Sequence, residues 1–448
     1  MNNISNQLIK NAKFCPRPFT DLVLWYDKTY KPCCVYEDDQ STAQTDIDIE
    51  KIFSSNKFNE IRKKFLHLND RLPKECGRCE RGENRGEVSL RQILTTKLSD
   101  KNKNIFINAD TGNLFGIPLK IEWRIGNSCN MSCRMCFPMV SSSIANEYIN
   151  NKELFDAQPW QKEYKVYTLD HVSKNEVGKT VEVTGVSDWL DEKTIDDIAK
   201  KYRENYEQIK KIISSDSLFP MWNIIGGEPT VIPGFYTIID KIKKYNIEDL
   251  IHLCITTNGL VFNKKLINSL KNIRTLEMVI SLDGTKDVHE YIRYKRGYNK
   301  ILKNIEEYKK ITNVIVLIST VSILNIFDIP DWCNFLEKTG LSQSSHFQLV
   351  ENPDLNPFTL PLSIRKEIKP KLQKAYDKMK FKPENLQAII ANLDQEKLPN
   401  SYSSDHNKKL KIFVERTLFL DKIRNQNILS IDSHGYFKRI INMVKNGN

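Results

Sequence analysis

The chain has 448 residues, 40% of them hydrophobic, and a formal net charge of +11. That length predicts two or three domains of about 150 residues each, and its longest apolar runs fall well short of the roughly 18 residues of a membrane helix. The N-terminus "MNNISNQLIKNAKFC" lacks a signal-peptide core, so the reading is a cytoplasmic protein with no membrane role, whose scattered lysines admit an acidic partner such as nucleic acid but also fit solvated helix faces.

In such a chain ten cysteines point to ligands or core residues rather than disulfides. Residues 1–98 hold five: Cys15, Cys33, Cys34, Cys76 and Cys79. Between them "DIDIEKIFSSNKFNEIRKKFLHL" has helical spacing that stops before Pro73. Residues 99–118 are rich in Asn, Asp, Lys and Gly and read as a linker.

From Leu119 the pattern changes. "LKIEWRI", "PMWNII", "DLIHLCIT", "LEMVISL", "NVIVLISTV" and "HFQLV" read as strands, with helical patterns between them. This alternation implies right-handed βαβ units and a parallel sheet. The predicted fold class is therefore α/β: a partial (β/α)6 TIM-type barrel over 119–351. An insertion at 140–220 interrupts the rhythm. In it "YKVYTLD" and "KTVEVTG" read as a β-hairpin, and "EKTIDDIAKKYRENYEQIKKII" as one long helix. The insertion leaves the sheet on its loop-bearing rim, where it is placed to help hold a substrate. Residues 352–448 read as a mostly helical extension without a chemical motif.

The chemistry concentrates in "GNSCNMSCRMCFP", where Cys129, Cys133 and Cys136 fall within eight residues. Three thiolates can hold three corners of a [4Fe–4S] cubane and leave the fourth iron open to a ligand. A zinc knuckle with a distant fourth ligand, or three buried cysteines, are the alternatives from spacing alone. Further polar or glycine-rich groups follow the later strands: "GGEP" (Gly226, Gly227, Glu228, Pro229), "TTNG" with Asn258, "SLDG" with Ser281 and Asp283, and then Asn325. Two glycines let a backbone approach a ligand, and Glu228 offers an acceptor to an ammonium group. All of these lie at the C-terminal ends of predicted parallel strands, the rim where α/β barrels keep their active sites.

"CNMSCRMC" followed by "GGEP" resembles the radical S-adenosylmethionine (radical SAM) superfamily over roughly residues 119–351. The resemblance implies a [4Fe–4S] cluster on Cys129, Cys133 and Cys136, with S-adenosylmethionine (SAM) chelating the open iron. One-electron reduction, from a donor such as ferredoxin or flavodoxin, then yields a 5′-deoxyadenosyl radical that takes a hydrogen atom from substrate. It places Gly226, Gly227 and Glu228, with Pro229, at the methionine amine, and Ser281 and Asp283 at the ribose, with Asn258 a further cofactor contact. The residue before the third cysteine is usually aromatic; here it is Met135, which keeps an apolar contact for adenine.

The N-terminal cysteines form a second set: Cys15, then Cys33 or Cys34, then Cys76 and Cys79. Spacing alone fits a four-sulfur zinc site as well as a cluster. The segment resembles a twitch domain, the short relative of the SPASM domain, in "FCPRPF", "KPCC" and "KECGRCERGENRGEVSLR". That resemblance implies an auxiliary [4Fe–4S] cluster on Cys15, Cys33, Cys76 and Cys79, in a domain that precedes the barrel. Cys33 is preferred because the family's step reads Pro-Cys, and Cys34 stays open.

Cys254 reads as a core residue rather than a hydrogen-atom donor, Cys333 as core, Arg293 as a surface ion pair with a contact to the SAM carboxylate or an acidic substrate as the alternative, and Trp123 and Arg124 as candidates for the barrel interior. The expected function is radical SAM chemistry on a peptide or protein side chain. The alternatives are a nucleotide, sugar or RNA substrate, and a non-catalytic iron–sulfur scaffold or electron carrier.

Overall fold

The computed structural model describes residues 13–25, 29–37, 47–66, 71–84, 86, 88–96, 116–164, 192–215, 220–294, 297–312, 314–350, 352–395 and 406–446. The expected hairpin lies outside these residues, except that Tyr164 closes the helix Pro159–Tyr164. The expected linker likewise lies outside them up to residue 115.

The chain is a mixed α/β protein built on one eight-stranded sheet. Its strands are β1 (Asp21–Trp25), β2 (Tyr30–Lys31), β3 (Lys120–Arg124), β4 (Met221–Ile225), β5 (His252–Thr257), β6 (Thr275–Ser281), β7 (Val314–Val321) and β8 (Ser345–Leu349). The order across the sheet is β2-β1-β3-β4-β5-β6-β7-β8. All neighbours are parallel except β1 and β2. The spacing predicts six strands, and these are β3 to β8. The two additional strands come from the N-terminal segment. After Asp21, "DLVLW" is a continuous apolar run, which periodicity alone does not tell from a buried helical turn, and β1 is buried along Asp21–Leu24 because it lies between β2 and β3.

The sheet has two unlike faces. On β7, Ile315, Leu317, Ser319 and Val321 are buried while the residues between them are partly or largely open, the period of two expected of a strand. The apolar face lies under helices. There Trp123 meets Trp222 edge-on at 5.3 Å, and Trp222 meets Tyr202 at 5.2 Å. The other face carries a polar row beside apolar ones such as Val279 and Val316. Glu122, Asn223, Cys254 and Glu277 stand in one lateral row across β3 to β6.

Tyr202 belongs to the insertion. Its helix Glu192–Glu204 packs outside the sheet against helix Pro233–Lys244, with Lys241 2.6 Å from Glu192 and 2.7 Å from Asp196. A second helix, Tyr206–Ser215, follows. The single helix expected here breaks at Asn205, whose Nδ2 donates to the Lys201 carbonyl at 2.9 Å and competes with the backbone ladder. The C-terminal segment is helical as expected: Leu362–Lys378, Glu384–Asn392, His406–Arg424 and Tyr436–Lys445. Many of its apolar residues join the same hydrophobic cluster as the sheet, while Ile412 and Leu420 pack in a separate cluster with Ile144, Phe155 and Trp160. No helix among the described residues is long and apolar enough to cross a membrane.

Candidate functional site

Parallel strands deliver their following loops to one rim. The loop after β3 carries Cys129, Cys133 and Cys136, and the loop after β4 carries Gly226–Pro229. Backbone bonds zip the two together: Gly227 N donates to Gly126 O and Glu228 N to Ser128 O, both at 2.8 Å. The glycines are required by this contact. A Cβ on Gly227 would lie 2.3 Å from Ser128 O, and one on Gly226 would lie 2.7 Å from Gly126 O. The close approach predicted for a ligand is thus, in this fold, an approach of one loop to the other.

Glu228 is fully enclosed. Its carboxylate accepts from the Thr230 hydroxyl at 2.5 Å, Thr230 N at 3.2 Å, the Thr257 hydroxyl at 2.7 Å and Asn258 N at 2.7 Å. Burial pushes its pKa up, opposed by these four donors. Pro229 opens the short turn Pro229–Val231 that Glu228 caps. Asn258 Nδ2 donates to Asn130 Oδ1 at 2.6 Å. The end of β5 is therefore tied both to Glu228 and to the cysteine loop.

The loop is also gripped from the helix that follows it. Cys129 N donates to Ser142 Oγ at 3.0 Å, and Ser143 Oγ donates to Cys129 O at 2.6 Å. Ser141 caps this helix, Ser142–Asn150. A serine run before an apolar helix is a start signal, and it could have identified these supports from sequence. Burial, then the nearby Cys133, pushes the Cys129 thiol up to about 12. Cys133 is shifted the other way, by a hydrogen bond with Cys136 and by Arg293. The Arg293 Nη1 lies 3.7 Å from Cys133 Sγ, and its Nε lies 2.8 Å from Asp283. Arg293 is buried, so the expected surface ion pair is in fact an interior one against a cysteine of the loop. Asp283 is fully buried and also accepts from Thr320 N at 2.9 Å.

Ser281 ends β6, partly open and in register with Ile318. Met135 is partly buried against the main core. Asn325 faces inward, donating to Asp283 O at 2.7 Å and Thr320 O at 2.9 Å. Trp123 lies on the helix-covered face, contrary to the expectation that it lines the interior. Arg124 is on the face with the polar row, 2.7 Å from Glu122 and stacked 4.3 Å above the Trp25 ring. Cys254 is buried, as the core reading expects, although strand alternation places it in the row with Glu122, Asn223 and Glu277. Cys333 is a core residue as expected.

The N-terminal thiols gather as well. Cys15, Cys33, Cys76 and Cys79 line one small cavity together with Arg17 and Arg91. Cys15 feels Cys33 and Cys76, and Cys33 feels Cys79. Burial raises all four thiols, Cys33 to about 12. Cys34 stands apart, 3.2 Å from Arg17 Nη1 and within reach of Glu122 and Arg124 on the face with the polar row. Arg17 and Arg91 are both buried, and Arg91 is held by Glu83 at 2.7 Å and by Phe14 O at 2.9 Å. The donor sets suit iron–sulfur clusters: three thiols in one loop and four around one cavity. Among the described residues no three His, Cys, Asp or Glu side chains close on a point fit for a single ion. A cubane asks for something else, since each thiolate binds its own iron.

Residues 123–336 match the family model described as Radical SAM superfamily, so this stretch is a radical SAM domain. Over 104 residues the chain is 36% identical to a cysteine-type anaerobic sulfatase-maturating enzyme of Clostridium novyi (strain NT), covering 21% of this chain and 28% of that one. Over 150 residues it is 32% identical to a probable GTP 3′,8-cyclase of Thermococcus kodakarensis, covering 33% and 46%. The chain thus spans less than half the length of these two relatives. Among solved structures, native anSMEcpe with bound AdoMet aligns at 14% identity and a TM-score of 0.36, over 69% of this chain and 62% of that one.

Proposed function

We propose that this chain, an enzyme of the radical SAM class, cleaves SAM reductively at a [4Fe–4S] cluster on Cys129, Cys133 and Cys136 and removes a hydrogen atom from a peptide or protein side chain. The observation that carries this reading is the seating of the three-thiol loop on the Gly226–Glu228 loop through paired backbone bonds. When bound and reduced, the cluster with SAM supplies a 5′-deoxyadenosyl radical. The chain's own residues do the rest. Cys129, Cys133 and Cys136 would hold the cluster as thiolates and leave one position open to SAM. Gly226 and Gly227 bring the two loops together. Glu228 holds the end of β5 and, with Asp283, lies enclosed behind the proposed surface for SAM, to which Met135, Pro229, Asn258 and Ser281 contribute. In that reading Asp283 shares its carboxylate with Arg293.

Six parallel strands in sequential order support the partial (β/α)6 barrel over 119–351. The four-thiol cavity supports an auxiliary cluster on Cys15, Cys33, Cys76 and Cys79 in an N-terminal twitch-like segment, with buried Arg17 and Arg91 offsetting its negative charge. The placement of Cys34 beside Arg17, outside the cavity wall, favours Cys33 as the ligand. A peptide or protein substrate is supported by the Clostridium novyi relative, named for maturing a sulfatase. A nucleotide is the second reading, favoured by the relative named for GTP. The reductant is a one-electron donor of the ferredoxin or flavodoxin kind.

The test is direct. Protein reconstituted with iron and sulfide under argon, then reduced with dithionite, is incubated with SAM, and 5′-deoxyadenosine and methionine are measured. Formation of both is expected. A fully loaded protein that makes neither would be a scaffold or electron carrier, and the proposal would fall.

A further inference from the structure

Arg134 lies between Cys133 and Cys136 in the chain, and its side chain is about 1% exposed. Few positions are less suited to a long charged residue unless its partners are fixed. Here they are supplied largely by the C-terminal segment, nearly three hundred residues away. Arg134 Nη2 donates to Asp421 Oδ1 at 2.5 Å and to Gln426 Oε1 at 2.8 Å. Its carbonyl accepts from Arg416 Nη2 at 2.6 Å, and Arg416 is anchored by Asp354 at 2.7 Å. Arg424, on the same helix as Arg416 and Asp421, makes a two-pronged pair with Glu147 at 2.7 and 2.8 Å. Glu147 sits on helix Ser142–Asn150, whose first residues hold Cys129. Both ends of the cysteine loop are therefore backed by one helix, His406–Arg424. A third side is closed by Tyr291, whose ring lies 4.0 Å from the Arg134 guanidinium and whose hydroxyl donates to Asp421 at 2.8 Å.

Three buried guanidiniums, one from the loop and two packed behind it, are a costly way to fill space, and apolar side chains would do so more cheaply. What paired charges add is a fixed register. We infer that the C-terminal segment is part of the catalytic apparatus: Asp421, Gln426 and Arg416 are positioning residues that set the conformation of the Cys129–Cys136 loop through Arg134. The inference rests on the cluster reading for those three cysteines.

The experiment compares wild-type holoprotein with Asp421→Asn and Gln426→Leu, and with Arg439→Gln as a control at an exposed C-terminal ion pair. Each is reconstituted with iron and sulfide. Iron release to a chelator is timed, and the electron paramagnetic resonance spectrum of the reduced protein is recorded with and without SAM. Asp421→Asn is expected to stay folded by circular dichroism, to lose about half its iron at least tenfold faster, and to show a diminished spectral response to SAM. Gln426→Leu should move the same readouts less, and Arg439→Gln should move none. If Asp421→Asn does not fold, Gln426→Leu decides alone. Folded variants with wild-type iron release and spectra overturn the inference, as does iron loss that merely tracks global unfolding. A wild-type protein that takes up no cluster at the three cysteines instead defeats the functional proposal itself.

Discussion

Asn258 Nδ2 lies 2.6 Å from Asn130 Oδ1, and the backbone N–H of the same Asn258 donates to Glu228. One residue at the end of β5 thus fastens the GGEP loop to the cysteine loop. Asn258→Ala removes the side-chain tie and leaves Asn130 without it. SAM affinity is expected to fall about 5- to 10-fold, the effect of one lost hydrogen bond near 1 kcal/mol, with iron content unchanged. Equilibrium dialysis against labelled SAM checks this.

Glu228→Gln is nearly isosteric, but every group around the carboxylate is a donor. The new amide must aim its own N–H at one of them. The expected cost is about 1–3 kcal/mol, read as lower stability to urea and as a SAM affinity at least 5-fold weaker. The conservative shape of the substitution makes an unchanged affinity decisive against the assigned role.

Gly227→Ala places a methyl group against Ser128 O and Asn127 O, both backbone atoms that cannot swing aside. Overpacking of this kind costs about 1–3 kcal/mol or more. Expected are separated loops, faster iron loss and weaker SAM binding. Ala at exposed Gly86, whose Cβ would meet nothing within 4 Å but whose φ is +77°, carries only backbone strain and should leave SAM binding intact.

Replacing Cys129, Cys133 and Cys136 together with Ala should leave about four irons of an expected eight and abolish SAM cleavage. Iron and sulfide assays with zinc analysis check the count. Zinc at the N-terminal site in natively isolated protein would remove the auxiliary cluster from the proposal.

Burial pushes Glu83 up, but bonds from Arg91 and Ser89 outweigh it and hold its pKa below the usual carboxylate range. A depressed folded-state pKa stabilises the fold above the unfolded value, and that contribution is lost as pH falls through the folded one. Amide protection around residues 77–96 is therefore expected to drop below about pH 4, earlier than protection of β5 and β6. Glu83→Gln should show the looser state already at neutral pH. Hydrogen exchange followed by mass spectrometry measures both.

The cysteine triplet and GGEP were legible because their chemistry sits in adjacent residues. Strands β3 to β8 were legible because each is an apolar run or an alternation of apolar and polar residues bounded by turns. Strand β1 was not, since its pairing depends on β3 rather than on its own five residues. The break at Asn205 comes from a side chain competing for a carbonyl, a local effect that helical periodicity does not register. The role of Arg134 was hidden by distance: nothing in "CRMC" announces Asp421. Arg293 reads as an ordinary helix-end cation until Asp283 and Cys133 are seen beside it.

Strand β1 pairs with β3 across about a hundred residues of chain, and β3 with β4 across about a hundred more. Such long-range pairing is slow to form. A ribosome adding 5–20 residues per second leaves β1 without β3 for roughly 5–20 s. The described wall of the thiol cavity runs only from Cys15 to Arg91, so it is complete in the chain before β3 emerges. On the proposed cluster reading, these thiols can take up iron and sulfide while β1 is still open on its β3 side, and pairing with β3 then seats an already loaded segment on the sheet.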